Sequence, residues 1–173
     1  MTTYEHPKDL IQRPALGREE FCQRLLTMLV LGGRYPRWNS RSTPTPAGRG
    51  FLRQLDALSF GESQCDDAVV FVDELELAPR IETEKGGAPD DGVLGQSRMW
   101  MIELKTEAAS PRSAQLPLYY EPAAHHFPTR SVDITYLTPT MTAPPPPLAA
   151  GQRYTHVTWS QSSRRSGPRG GAT

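Results

Sequence analysis

The chain has 173 residues, of which 37% are hydrophobic, and this size favours one domain with a modest core over two domains. Its 19 basic and 19 acidic residues balance, which excludes a global field that would draw it onto nucleic acid, so such binding requires a local patch. The distant Cys22 and Cys65 form no metal-ligand pair, and neither a signal pattern nor a membrane-spanning apolar run occurs, so we expect a cytoplasmic protein without a membrane partner.

The segment from Arg18 to Leu31 predicts the first helix. Its apolar residues recur at helical spacing, and Gly32-Gly33 supply the stop. Glu19 and Glu20 fall in the first turn, where carboxylates favour the helix dipole, and we interpret them as dipole partners rather than site residues. The apolar stripe is expected to face the core and consists of Phe21, Leu25, Met28 and Leu29.

An arginine-rich segment follows. Residues 35–50 are rich in Pro, Ser, Thr, Gly and Arg and predict a loop, after which residues 51–58 predict a short helix. The charged residues of positions 34–53 are all arginines, and the aromatic residues Tyr35 and Trp38 lie between them in the sequence. That combination suits phosphate contacts with aromatic rings available to stack on bases. An ordinary arginine-rich surface loop is the equal alternative.

The middle of the chain predicts strands. Residues 68–77 are β-prone, and residues 79–84 have the character of an extended strand that ends in a glycine turn. Residues 92–95 and 99–106 predict a hairpin around the turn Gln96-Ser97-Arg98. In its second strand the apolar residues alternate with the others, so one face is expected to be core. The apolar face consists of Trp100, Ile102 and Leu104.

The opposite face of that strand carries Glu103 and Lys105, and the hairpin brings Asp90 or Asp91 near Glu103. Charges at the edge of a buried sheet are costly unless they are used or paired. Two carboxylates suit Mg²⁺, a hard cation with oxygen ligands, and the Leu104 carbonyl is a further candidate ligand. A bound metal lowers the pKa of its water, and a neighbouring lysine orients that water or shares its proton. This is the chemistry of phosphodiester hydrolysis.

A third helix is predicted from Ser110 and Pro111, which suit an N-cap and a first helical position. On it Gln115 and Tyr119 lie four residues apart and share a face. Pro117 lies between them and predicts a helix that starts late or kinks. Gln115 is therefore either a site residue or an ordinary helix residue.

The rest of the chain predicts two strands. Residues 131–137 alternate and are expected beside the strand that carries Glu103, and residues 153–160 form a last strand. Residues 143–148 include four consecutive prolines and predict an extended connection between the two. The preceding pair His125 and His126 is interpreted as an exposed helix end.

Three short motifs together resemble the signature of the PD-(D/E)XK nuclease superfamily, in the branch with a downstream Q-x-x-x-Y motif. They are Pro89-Asp90-Asp91, Glu103-Leu104-Lys105 and Gln115-Leu116-Pro117-Leu118-Tyr119. The resemblance covers residues 80–139, about a third of the 173-residue chain. It implies an α/β, restriction-endonuclease-like fold with an αβββαβ core, in which a central mixed sheet is flanked by helices.

The resemblance also implies a site. Mg²⁺ is the expected cofactor, with Mn²⁺ as a substitute. Asp91 is the first choice of ligand, because Asp-Gly-Val-Leu resembles the usual aspartate that leads into the second strand. An early helix of this superfamily often adds an acidic residue. The implied catalytic residues are Asp91, Glu103, Lys105, Gln115 and Tyr119, and the implied metal ligands are Asp91, Asp90, Glu103 and Leu104.

The expected function is Mg²⁺-dependent hydrolysis of DNA, in phage defence or in recombination and repair. RNA as substrate, and endonuclease against exonuclease action, stay open. The alternative is a catalytically inactive module that keeps the nuclease fold and binds nucleic acid or protein. We expect one domain over residues 1–160 and a disordered tail over residues 161–173. Because related nucleases commonly continue with further helices, a second copy or a partner protein is expected to complete a minimal domain.

Overall fold

A computed structural model describes residues 18–34, 40–84, 86–106, 115–139 and 150–164. No helix within these ranges is long and apolar enough to cross a bilayer. The elements are, in chain order, α1 (Arg18–Leu31), β1 (Arg41–Ser42), α2 (Pro46–Phe60), β2 (Val70–Asp73), β3 (Asp91–Leu94), β4 (Arg98–Leu104), α3 (Gln115–His126), β5 (Ser131–Thr138), β6 (Gln152–Thr158) and α4 (Trp159–Arg164).

The strands form one mixed sheet of six strands whose spatial order equals their chain order. β1 to β4 pair antiparallel, whereas β4, β5 and β6 pair parallel. Parallel neighbours need a crossover connection, and α3 lies in the crossover from β4 to β5. The predicted α/β class, with a mixed sheet and helices, is confirmed.

The centre of the sheet is buried on both faces. Trp100 and Ile102 of β4 pack with residues of α1 and α2 in one apolar cluster. Met99 and Met101 pack with Tyr119 of α3 in a second cluster. The predicted alternation of β4 is confirmed, but both of its faces are covered, and the face that carries Glu103 lies under α3.

Helix α1 has the predicted bounds, and its predicted buried stripe is confirmed in part. Met28 and Leu26 are buried, whereas Leu25 and Leu29, predicted to face the core, are 45% and 52% exposed. Polar side chains complete the inward face of α1. Gln23 donates a hydrogen bond to the Asp90 carbonyl oxygen, and Thr27 donates one to the Asp73 carboxyl group. Apolar spacing alone therefore predicts Met28 correctly but misses the buried polar residues Gln23 and Thr27.

Helix α2 begins earlier than predicted, so residues 46–50 are helical rather than part of a loop. Thr45 is its N-cap and accepts a hydrogen bond from Gly48 N (3.0 Å), and Pro46 occupies the first turn. Gly48 lies against α1, where an added Cβ would stand 1.9 Å from the Val30 carbonyl oxygen. The close crossing of α1 and α2 therefore requires glycine at this position.

Other boundaries differ in smaller ways. Residues 79–84 form bends and a turn, not the predicted strand, and Leu77 instead pairs with Gly87 in an isolated bridge. Helix α3 is described from Gln115, so the start or kink predicted from Pro117 stays a prediction. The predicted N-cap Ser110 and the proline-rich connection lie outside the described residues.

The last two predicted elements fit in part. The predicted position of β5 beside β4 is confirmed, and β6 is confirmed as a strand and pairs with β5. Trp159, predicted in the last strand, begins α4. Helix α4 continues to Arg164, past the predicted start of the tail at residue 161. The remainder of the predicted tail lies outside the described residues.

Candidate active site

The register of the β3–β4 hairpin decides which aspartate meets Glu103. Asp91 lies opposite Ile102 in the antiparallel ladder. One residue outward Asp90 stands opposite Glu103, and its N–H donates to Glu103 Oε2 over 3.4 Å. Opposite residues of an antiparallel pair project to the same face. The structure therefore brings Asp90, rather than Asp91, to Glu103.

Asp90 is held from both sides. Its Oδ2 accepts a hydrogen bond from Leu104 N (2.7 Å), and its carbonyl oxygen accepts one from Gln23 Nε2 of α1 (3.0 Å). Leu104, predicted to act through its carbonyl, thus contributes its N–H to the site. Its role as a metal ligand stays a prediction.

Lys105 follows β4 directly, and both of its backbone groups are fixed. Its N–H donates to Leu137 O (2.8 Å), and its carbonyl accepts from Trp159 Nε1 (3.0 Å). Its Nζ lies 2.9 Å from Glu103 Oε1 and 2.7 Å from Glu19 Oε1. The ammonium is thus held between carboxylates of β4 and α1.

Tyr119 of α3 reaches the same group and donates to Glu103 Oε2 over 3.2 Å. Gly87 makes room for its ring, because a Cβ there would lie 2.7 Å from a Tyr119 ring carbon. Gln115 is the first residue of α3, and its side chain lies outside the described part of the chain. Of the predicted motif pair, the structure places Tyr119 at the site.

Asp91 belongs to a different group of charges. Thr27 Oγ1 of α1 lies 3.4 Å from Asp91 Oδ1 and 3.0 Å from Asp73 Oδ1. Asp73 stands opposite Asp91 in the β2–β3 ladder, and Arg24 Nη1 lies 3.3 Å from Asp73 Oδ2. Asp91 therefore faces α1, on the side of the hairpin away from Glu103.

Two buried carboxyl groups lie beside Thr27, whose hydroxyl donates to Asp73 Oδ1 (3.0 Å) and, over a longer distance, to Asp91 Oδ1 (3.4 Å). Burial, followed by the charges of Asp73 and Asp90, raises the pKa of Asp91 well above its ordinary value. Burial also raises the pKa of Asp73, although Arg24 and Thr27 act to lower it.

The pKa values at the Asp90 group reflect burial and an excess of negative charge. Burial, and then the charge of Glu103, raises the pKa of Asp90 to about 7. Burial raises the pKa of Glu103, although Lys105 and Tyr119 act to lower it. Burial alone would lower the pKa of Lys105, but Glu103 and Glu19 raise it above its ordinary value. Lys105 thus stays protonated near neutral pH, where Asp90 gains or loses its proton.

Several contacts from α1 were not predicted. Glu19, Gln23 and Thr27 recur every four residues and form one polar stripe, of which Glu19 had been interpreted as a dipole partner. A sequence pattern that predicts these contacts is the recurrence of polar residues every four positions, which places them on one face of the helix. Apolar spacing alone does not reveal it.

Three arginines of the arginine-rich segment have partners within the protein, and the phosphate contacts of the segment stay a prediction. Arg49 Nε and Arg53 Nη2 lie 3.5 and 2.8 Å from Asp67 Oδ1, and Arg34 Nε donates to a backbone carbonyl of α1 (3.2 Å). These arginines are used in contacts within the fold. The aromatic residues predicted to stack on bases lie in positions 35–39, outside the described residues.

The donor set fits Mg²⁺ better than zinc. In the described ranges no three or more His, Cys, Asp or Glu residues are grouped to hold a metal ion. Asp90 and Glu103 supply two carboxylates, and Mg²⁺ commonly takes one or two because it keeps several of its waters. Zinc sites use three or four protein ligands.

Comparisons of the chain with known protein families, with curated proteins and with solved structures find no match.

Proposed function

We propose that this chain is a Mg²⁺-dependent nuclease that hydrolyses DNA phosphodiester bonds, with Asp90 rather than Asp91 as the first metal ligand. The observation that carries the proposal is the convergence of Asp90, Glu103 and Lys105 at the ends of β3 and β4. The order α1, β2, β3, β4, α3, β5 follows the αβββαβ order that the nuclease resemblance implies, with β1 and α2 inserted. This order supports a restriction-endonuclease-like core.

Each residue has a separate task in this proposal. Asp90 and Glu103 would hold Mg²⁺, which when bound supplies Lewis-acid polarisation and a water of lowered pKa. Lys105 is protonated, so it acts as a donor that orients the attacking water and offsets charge on the phosphate, rather than as the base. Tyr119 fixes the Glu103 carboxylate through Oε2, and Glu19 holds the Lys105 ammonium.

One observation favours the alternative, an inactive binding module. Glu103 is only 2% exposed, and the Lys105 ammonium already contacts two carboxylates. Buried ion pairs of this kind also occur as parts of a fold without any catalytic role. The function therefore has to be tested on cleavage itself. A second copy or partner protein that completes the domain stays a prediction.

The test uses purified protein with circular plasmid, linear duplex and single-stranded RNA, in Mg²⁺, in Mn²⁺ and in chelator. We expect DNA cleavage with either metal and none with chelator. Opening of the circular plasmid would identify an endonuclease, because an exonuclease requires an end. Absence of cleavage of any substrate under any metal would favour the binding module.

A matched pair of variants tests the choice of ligand. Asp90→Asn should reduce cleavage by about 100-fold or more, because it removes a ligand charge without a change in size. Asp91→Asn should leave cleavage within about 3-fold of the parent, because Asp91 contacts Thr27 on the side of the hairpin away from Glu103. The opposite result would assign the metal to Asp91.

A further inference from the structure

Tyr136 of β5 stands beside the candidate site. It is the partner of Glu103 in the parallel pairing of β4 and β5, and neighbouring strands lie about 4.8 Å apart. Partners in adjacent strands project to the same face of a sheet. Tyr136 is 0% exposed and packs in the same apolar cluster as Tyr119. Its ring therefore lies on the Glu103 side of the sheet, under α3.

The hydroxyl of Tyr136 is buried and has no hydrogen-bond partner among the described residues. The two neighbouring tyrosines of the same cluster differ, since Tyr119 donates to Glu103 (3.2 Å) and Tyr120 donates to Arg153 O (2.7 Å). An unsatisfied buried hydroxyl costs about 1–3 kcal/mol, and such groups are uncommon without a role. The group that completes this hydroxyl is therefore external to the described part of the chain.

The charges around Tyr136 indicate what that group is. Burial, and then the negative charge of Glu103, raises the pKa of the Tyr136 phenol, and the charge of Asp90 raises it further. The inner oxygens of these carboxylates are already bonded, Glu103 Oε2 to Tyr119 and Asp90 Oδ2 to Leu104 N. A buried phenol oxygen whose strand partner is a carboxylate can accept a hydrogen bond from a donor that the carboxylates attract. Water bound to a cation is such a donor.

We propose that Tyr136 is a positioning residue whose hydroxyl oxygen accepts a hydrogen bond from a water of the divalent cation that Asp90 and Glu103 would hold. The inference rests on the proposed metal site and adds to it a partner outside the motif residues. Mg²⁺ keeps several waters when two carboxylates bind it, and these waters need acceptors in a buried site. Partners of this kind orient the groups around a metal and change its affinity.

The test is Tyr136→Phe, which removes the oxygen and keeps the ring. In chelator the variant should melt at the same temperature as the parent or higher, because the hydroxyl has no bond to lose within the described fold. In a Mg²⁺ titration followed by melting temperature, the half-saturating concentration should rise about 10-fold. The control is Tyr120→Phe, which should lower the melting temperature in chelator and leave the Mg²⁺ concentration dependence unchanged, because its hydroxyl is bonded to Arg153 O.

The outcomes separate the inference from the proposed function. If Mg²⁺ stabilises the parent and Tyr136→Phe with equal half-saturating concentrations, Tyr136 has no positioning role and the metal site stands. If Mg²⁺ does not stabilise the parent, the metal site fails and the inference fails with it. A lower melting temperature of Tyr136→Phe in chelator would show that the hydroxyl is bonded within the protein, which also overturns the inference.

Discussion

The two ends of β4 carry buried charges in different proportions. At its N-terminal end two guanidinium groups meet two carboxylates. Arg98 Nη1 lies 2.8 Å from Asp56 Oδ2, and Arg98 Nε donates to Asp133. Arg153 of β6 donates to both oxygens of Asp133, at 2.9 and 2.6 Å. The charges at this end sum to zero.

At the C-terminal end one ammonium stands among three carboxylates. Lys105 contacts Glu103 and Glu19, and Asp90 lies beside Glu103. Burial and this negative excess raise the pKa of Asp90 to about 7. Buried charge of one sign is unfavourable until a proton or a cation compensates it. The charges at the balanced end compensate one another, whereas the excess negative charge at the unbalanced end is suited to an added cation.

Breaking the balanced end should have the largest effect on stability. Arg98→Met leaves Asp56 without its guanidinium and Asp133 with one, although both carboxylates are 0% exposed. We expect a loss of about 3–5 kcal/mol in the free energy of unfolding, measured by chemical denaturation. Arg153→Met is the control, because the Arg153 side chain is 39% exposed and should cost about 1–2 kcal/mol. Equal losses for the two variants would contradict the central role of Arg98.

Whether the sequence predicts each end of β4 depends on how far apart in the sequence the interacting residues lie. The strand of Glu103 and Lys105 was predictable, because its period-two pattern lies within seven residues of β4. The balanced end was not predicted. Its charges come from α2, β4, β5 and β6, and Arg98 and Asp133 are 35 positions apart, so no local spacing connects them.

The choice between Asp90 and Asp91 depended on one residue of register. The predicted hairpin leaves both aspartates open, and Asp91 comes first only because Asp-Gly-Val-Leu resembles the superfamily's usual aspartate. With a three-residue turn Gln96-Ser97-Arg98, Asp91 would stand opposite Glu103. In the structure Gly95 N donates to Arg98 O (2.9 Å), so the turn has two residues and the pairing shifts by one. A shift of one residue moves a side chain to the other face of a strand. Sequence patterns predict the hairpin, but the geometry of its turn selects the aspartate.

The excess negative charge at the C-terminal end of β4 should make the stability of the protein depend on pH. The pKa of Asp90 is raised from 3.8 to about 7 by folding, so the folded state binds the proton more tightly. The resulting stability is fully present below about pH 4 and is lost as the pH rises through about 7. In chelator, Asp90→Asn should therefore be more stable than the parent, by a margin that grows by about 2 kcal/mol between about pH 5 and about pH 8.

The Asn side chain keeps an oxygen that can accept the bond from Leu104 N, so the Asp90→Asn comparison isolates the charge. Glu82→Gln is the control, since Glu82 is exposed and its variant should track the parent at every pH. Denaturation curves across this pH range decide the matter. A margin that shrinks as the pH rises would mean that Asp90 is stabilised as a carboxylate, and that the excess charge at this end is compensated within the protein.

Glu19 should give the smallest effect, and it tests whether the unbalanced end depends on its ion pairs for stability. Its carboxylate lies 2.7 Å from Lys105 Nζ, but the Glu19 side chain is 45% exposed. Exposed pairs contribute about 0.2–1 kcal/mol, so Glu19→Gln should lower the free energy of unfolding by less than about 1 kcal/mol. Glu20→Gln, at similar exposure and 3.4 Å from Arg24, is the matched control. A loss as large as that of Arg98→Met would show that both ends of β4 are structural, and the contrast between a balanced end for the fold and an unbalanced end for a cation would fail.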